Sequence, residues 1–173
     1  MKKTSRLLFT LTLSIATGLF AGPAMAEQPA APTAFEQVFD HYEAVRLSLI
    51  NDTTENVAQR GRKIQDVITG LIENGPAGGD ASSEAAPEVR ALLPELSEAA
   101  AALARATSLE GARDAFYAFS KPLVRWRKAV DGDRPIVAYC SMTRRSWLQP
   151  KGDAIGNPYH GQSMLRCGET VDG

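Results

Sequence analysis

From Ala138 to Thr170 the chain reads AYCSMTRRSWLQPKGDAIGNPYHGQSMLRCGET, and this stretch holds both cysteines, one of the two histidines and one of the two tryptophans. Of the four methionines, Met1 and Met25 lie at the N-terminus, so the rest of the chain keeps only Met142 and Met164. Each stands beside a cysteine, in Cys140-Ser141-Met142 and in Met164-Leu165-Arg166-Cys167, and His160 precedes Met164 by one helical turn. Thiolates and thioethers are soft, polarisable donors, and together they select Cu(I) over hard ions such as Mg²⁺ or Ca²⁺. Ag(I), softer still, follows the same rule. Zinc prefers thiolate with imidazole and has little use for a thioether. The candidate metal ligands are therefore Cys140, Met142, His160, Met164 and Cys167.

The compartment bears on whether those thiols are free. Lys2, Lys3 and Arg6 form a basic start, an apolar run follows from Leu7 to Phe20, and Gly22-Pro23 breaks it before Ala24-Met25-Ala26. This is the pattern of a secretory signal peptide over residues 1–26, cut before Glu27. The apolar run is short for a membrane span, which needs about 20 residues. No second hydrophobic span follows, so the expected product is exported to the periplasm with no membrane insertion after cleavage. Loss of the signal removes three basic residues and leaves the mature chain more acidic than the formal −1 of the whole sequence. An acidic surface argues against nucleic acid as a partner.

The elements that must position the tail are helical. Residues 27–34, rich in Ala and Pro, read as a flexible lead-in. Thr33-Ala34-Phe35-Glu36 then forms a capping box, followed by Phe35, Val38, Phe39, Tyr42, Val45 and Leu49 at helical spacing. Asn51-Asp52 interrupts that helix, and Asp52 with Glu55 reads as the start of a second, carrying Val57, Gly61, Ile64, Ile68, Leu71 and Ile72 inward and ending at Asn74-Gly75-Pro76. A Gly/Ala/Ser-rich connection spans 74–83. A third helix begins near Pro87, with Pro94 as a kink or late start, and a fourth is capped by Ser108 and bent by Pro122. His41 reads as a surface or half-buried residue, and Arg125-Trp126-Arg127-Lys128 as a solvated helix end. The fold expected is mainly α: an antiparallel four-helix bundle over 35–131, with an irregular or short β-hairpin segment over 132–173 packed on it. Trp147 is expected to anchor the tail, and Asn157-Pro158 to be the turn that brings its halves together.

Two cysteines in an exported protein commonly form a disulfide, and closing this loop would stabilise a small domain by about 3.6 kcal/mol. That alternative is a disulfide-stapled helical module that binds another protein of the cell envelope. It leaves Met142 and Met164 without a purpose. Oxidation abolishes thiolate binding and bound metal protects thiols, so the two readings can coexist. An enzyme is not expected: there is no Cys-x-x-Cys, Gly-x-Ser-x-Gly, His-Glu-x-x-His or phosphate loop.

The tail resembles a family of uncharacterised periplasmic domains, some fused to CusB-type copper/silver efflux adaptors. That family has a Cys-Pro-Met element, then Trp-Leu, then Asn-Pro-Tyr-x-Gly-x-x-Met-x-x-Cys-Gly. Here these stand as Cys140-Ser141-Met142, Trp147-Leu148, and Asn157-Pro158-Tyr159-His160-Gly161 through Met164 to Cys167-Gly168. Tyr42, Leu49, Asp52, Arg113, Phe116 and Ser120 in the helical part are also similar. Ser141 departs from the family's proline, which would loosen the turn without removing a donor. The resemblance implies handling of a heavy metal, copper first, by a free-standing periplasmic chaperone or scavenger that passes metal to an efflux adaptor or pump.

Overall fold

Thr33 opens the first helix by the reciprocal bonds its sequence promises: its Oγ1 accepts the Glu36 N–H at 3.1 Å, and Glu36 Oε2 accepts the Thr33 N–H at 2.7 Å. The computed structural model describes residues 31–76 and 80–171. The expected signal peptide, residues 1–26, lies outside the described residues, as do 27–30 of the lead-in and 77–79 of the Gly/Ala-rich connection.

Four helices follow in order: α1 (Ala34–Ile50), α2 (Val57–Asn74), α3 (Ala86–Arg105) and α4 (Leu109–Ala129). The apolar positions spaced three and four apart turn inward. Val38, Tyr42, Val45 and Leu49 of α1 meet Ile64 and Ile68 of α2, Leu93 and Leu96 of α3, and Phe116, Phe119 and Leu123 of α4 in one core. α1 packs on α2 and α4, α2 on α3, and α3 on α4. At Gly61 the backbones of α2 and α3 come so close that a Cβ would lie 2.5 Å from the Ala104 nitrogen. Ser108 caps α4, its Oγ accepting the Gly111 N–H at 3.1 Å. α3 runs on through Pro94 rather than starting there.

Three expectations need correction. Asp52 and Glu55 do not cap α2; the cap position is Asn56, left-handed at φ 62°, with no side-chain bond to the helix. The Asp52 carboxylate is taken instead by Arg113 Nη2 at 2.5 Å and the Gln162 N–H at 3.1 Å. A charge-assisted bond to guanidinium outcompetes a single cap contact. The Arg125–Lys128 run is not uniformly solvated. Trp126 is fully buried, its Nε1 donating to the Asp80 carbonyl at 2.8 Å, while Arg125 and Lys128 stay outside. Ile72, expected to point inward, is 53 % exposed.

Beyond α4 the chain forms a three-stranded antiparallel sheet of β1 (Ile136–Cys140), β2 (Arg145–Gln149) and β3 (Glu169–Val171), in the order β2-β1-β3. The β-prone run from Ile136 and the expected hairpin are both present. Between β2 and β3 lie an irregular loop and a 3-10 turn at Gly161–Met164.

β2 packs against α4, and a polar relay fixes it there. The Leu148 N–H donates to Tyr42 Oη at 3.1 Å, Tyr42 bonds Ser120 Oγ at 2.8 Å, and Ser120 donates to the Phe116 carbonyl at 2.8 Å. Every buried polar group in the relay is thereby satisfied. A file of rings runs alongside, from Tyr42 to Phe116 at 4.4 Å, Phe116 to Tyr159 at 6.1 Å and Tyr159 to Trp147 at 5.9 Å. Trp147 is fully buried and anchors the tail as expected. No helix among the described residues is long and apolar enough to cross a membrane.

Candidate metal centre

Cys140 ends β1, and the chain then reverses through Ser141, Met142, Thr143 and Arg144 into β2. Arg144 takes the left-handed conformation (φ 56°) that completes this reversal. The turn curls round the sulfur. Burial pushes the Cys140 thiol up, but hydrogen bonds to the thiolate outweigh it: first the Thr143 amide, then the Cys167 thiol, the Thr143 hydroxyl and the Met142 amide. The result is a pKa brought down to about 7. Thr143 Oγ1 is buried with no other hydrogen-bond partner among the described residues, which leaves its rotatable proton for the Cys140 thiolate. Cys167 moves the other way, because its hydrogen bond to Cys140 holds its proton in place, with burial adding to the effect. The two thiols titrate as a pair, with the thiolate favoured at Cys140.

Cys167 approaches from the opposite side of the sequence. Its Sγ lies 3.1 Å from Cys140 Sγ, and both are free thiols, against about 2.05 Å for a disulfide. His160 completes the group: one imidazole nitrogen and the two sulfurs all lie within 4.8 Å of one another. His160 Nε2 is buried and has no hydrogen-bond partner among the described residues. A buried nitrogen without a partner is costly.

The residue that sets this geometry is Asn157, read from sequence only as part of a turn. It is fully buried. Its Oδ1 accepts the amides of Tyr159 (2.8 Å) and His160 (3.2 Å), while its Nδ2 donates to the Cys167 carbonyl at 2.6 Å. One side chain thereby ties the histidine segment to the second cysteine. Its main chain adds two more bonds, accepting from Gly161 and donating to Leu165.

The loop is fixed in turn to the helices. Arg113 of α4 donates Nε to the Pro158 carbonyl at 2.9 Å and Nη2 to both Asp52 and the Leu49 carbonyl. Gln162 reaches the Ile50 carbonyl at 2.7 Å. Gly161, at φ 55°, passes so near that a Cβ would fall 1.9 Å from Asp52 Oδ1. Arg46, buried in α1, pairs with Glu43 and donates to the Gly156 carbonyl at 2.9 Å. These long-range partners have no local signature. The sequence signal was only the presence of Asp52, Arg113 and Arg46 on an otherwise core-directed framework.

Of the five residues expected to bind metal, the fold brings Cys140, His160 and Cys167 together. Met142 and Met164 sit beside them in the chain, but their side chains are 63 % and 38 % exposed. His41 is elsewhere, half-buried and bonded through Nδ1 to Arg60 at 3.1 Å. Burial lowers its pKa, with the Arg60 charge adding to the effect.

Two thiolates and an imidazole suit Cu(I) or Zn(II). Structural zinc is almost always four-coordinate, and among the described residues no fourth His, Cys or carboxylate joins the three. A three-coordinate ion bonded at about 2.2 Å holds its donors about 3.8 Å apart, so the two sulfurs would part by less than about an ångström. Comparison with family models, with characterised proteins and with solved structures finds no match.

Proposed function

We propose that the protein is a periplasmic heavy-metal-binding protein, a Cu(I) or Ag(I) chaperone or scavenger in copper homeostasis or efflux. The observation that carries this reading is the convergence of Cys140, Cys167 and one imidazole nitrogen of His160, a side chain whose Nε2 is buried with no hydrogen-bond partner among the described residues. Three soft or borderline donors without a fourth match the low coordination that Cu(I) accepts. The depressed pKa of Cys140, about 7, supplies a thiolate at neutral pH. In this reading the helices form an antiparallel bundle that serves as scaffold, consistent with their neighbouring contacts and short connections. The metal is cargo, exchanged with a copper efflux adaptor or pump, and the protein is not an enzyme.

A second reading is favoured by the 3.1 Å between the sulfurs: a disulfide-stapled module that binds another envelope protein. Thiol titration of protein taken directly from the periplasm separates the two. Two reactive thiols per chain in the apo protein, blocked by prior loading with Cu(I), support the metal reading. A quantitative disulfide that resists reduction supports the staple.

A further inference from the structure

The donors of the tail fall into two sets that the sequence alone does not distinguish. Cys140 is fully buried, Cys167 and His160 are partly covered, and all three converge. Met142 and Met164 are two of only four large apolar side chains exposed among the described residues. Both are attached by their backbones to the buried set. Met142 stands in the reversal two residues after Cys140, and the Cys167 N–H donates to the Met164 carbonyl at 3.0 Å. One thioether thus stands in the turn that wraps the first cysteine, and the other closes the 3-10 turn before the second.

Exposure of two long apolar side chains beside a buried cluster adds nothing to folding. It leaves two soft donors open to solvent, one two residues beyond Cys140 and the other three residues before Cys167. We infer that Met142 and Met164 form an exchange rim, through which Cu(I) passes between the buried Cys140–His160–Cys167 set and a partner that presents its own thioether or thiolate donors. This inference rests on the metal-binding reading and adds to it how the ion enters and leaves.

The exchange is a sequence of ligand substitutions. A metal–thioether bond to Met142 or Met164 forms as a metal–thiolate bond to Cys167, the more accessible cysteine, breaks. The partner's sulfurs then displace the His160 nitrogen, the Cys140 thiolate and finally the methionine, each new metal–sulfur bond forming as one of these breaks. Copper remains Cu(I) throughout, each sulfur keeps its own electron pair when its bond breaks, and the released thiolates take protons from water. Neutral thioethers bind more weakly than thiolates, which suits a passing contact rather than the resting site.

The test uses the full mature chain, reduced and handled without oxygen, with Met142→Leu/Met164→Leu beside wild type. Leucine keeps volume and apolarity at both positions. Cu(I) affinity is measured first, by competition with a chromophoric Cu(I) chelator. Transfer of bound Cu(I) to a short synthetic peptide bearing two methionines is then followed by stopped flow. The inference expects affinity within about threefold of wild type and a transfer rate lowered by about tenfold or more, in keeping with the usual effect of groups flanking a metal site. An unchanged transfer rate would overturn the rim while leaving the buried site intact. Affinity lost as severely as in Cys140→Ser/Cys167→Ser would also overturn it, by making the methionines resting ligands. Failure of wild type to bind Cu(I) in the first measurement would remove the reading beneath it.

Discussion

In the helices the fully buried side chains are almost all apolar, among them Val38, Leu49, Ile64, Leu96, Phe119 and Trp126. In the segment after α4, Gln149 and Asn157 are as fully buried and are polar, each holding loop backbone in place. Two of the buried polar residues on the helices serve that segment as well. Arg46 reaches the Gly156 carbonyl, and Ser120 reaches β2 through Tyr42. The helices are ordered by non-directional burial, which tolerates change of shape by small shifts. The tail is ordered by directional bonds that must all be made at once, since each orphaned partner costs about 1–3 kcal/mol. A site that must hold three donors at fixed separations belongs on the second kind of structure.

That contrast is most sharply broken at Gly161. Gly161→Ala would put a Cβ against Asp52 and force a left-handed alanine. The expected result is a stability loss of more than about 3 kcal/mol, confined to the tail. Far-ultraviolet circular dichroism should still show the helices, while hydrogen exchange over 157–168 becomes fast. Asn157→Ala comes next, at about 2–3 kcal/mol, because two amides lose an acceptor and the Cys167 carbonyl loses a donor. It should also weaken metal binding by about 10- to 100-fold. Tyr42→Phe strands the Leu148 N–H and is expected to cost about 1–2 kcal/mol, read as a lower urea midpoint.

Asp52 gives the comparison a pH dependence. The Gln162 amide, then the Arg113 guanidinium, hold its carboxyl below the usual carboxylate range. Its contribution is therefore present above the ordinary carboxylate pKa and lost as pH falls through the depressed folded value. In acid the tail should loosen before the helices, visible as tail amide shifts that follow the Asp52 titration by NMR. The smallest effect is at Thr143. Thr143→Val should leave stability almost unchanged yet raise the Cys140 pKa above about 7, measured by the pH dependence of alkylation.

How far the sequence was legible follows the same division. The Thr33 capping box and the Ser108 cap were readable because both partners lie within one turn. The inward faces were readable from spacing, and Trp126 could have been. It continues the file Phe119, Leu123 at helical intervals, but its charged neighbours suggested water. The role of Asp52 is not legible locally because its partners, Arg113 and Gln162, are 61 and 110 residues away. In the tail, residue type alone pointed to Cys140, His160 and Cys167. The convergence depends on Asn157, whose bonds are formed only in the folded loop. The outward stance of both methionines could not be read at all, since Met is equally at home in a core.

The central claim is that Cys140, Cys167 and His160 bind a soft monovalent ion. Its most direct test is anaerobic Cu(I) titration of the reduced mature protein against a chromophoric competitor, beside Cys140→Ser/Cys167→Ser and His160→Ala. The account predicts one Cu(I) per chain, an affinity lowered by more than about 100-fold without the cysteines, and a smaller loss, about 10-fold, without the imidazole. Affinity that is the same in wild type and in the cysteine double variant would contradict it.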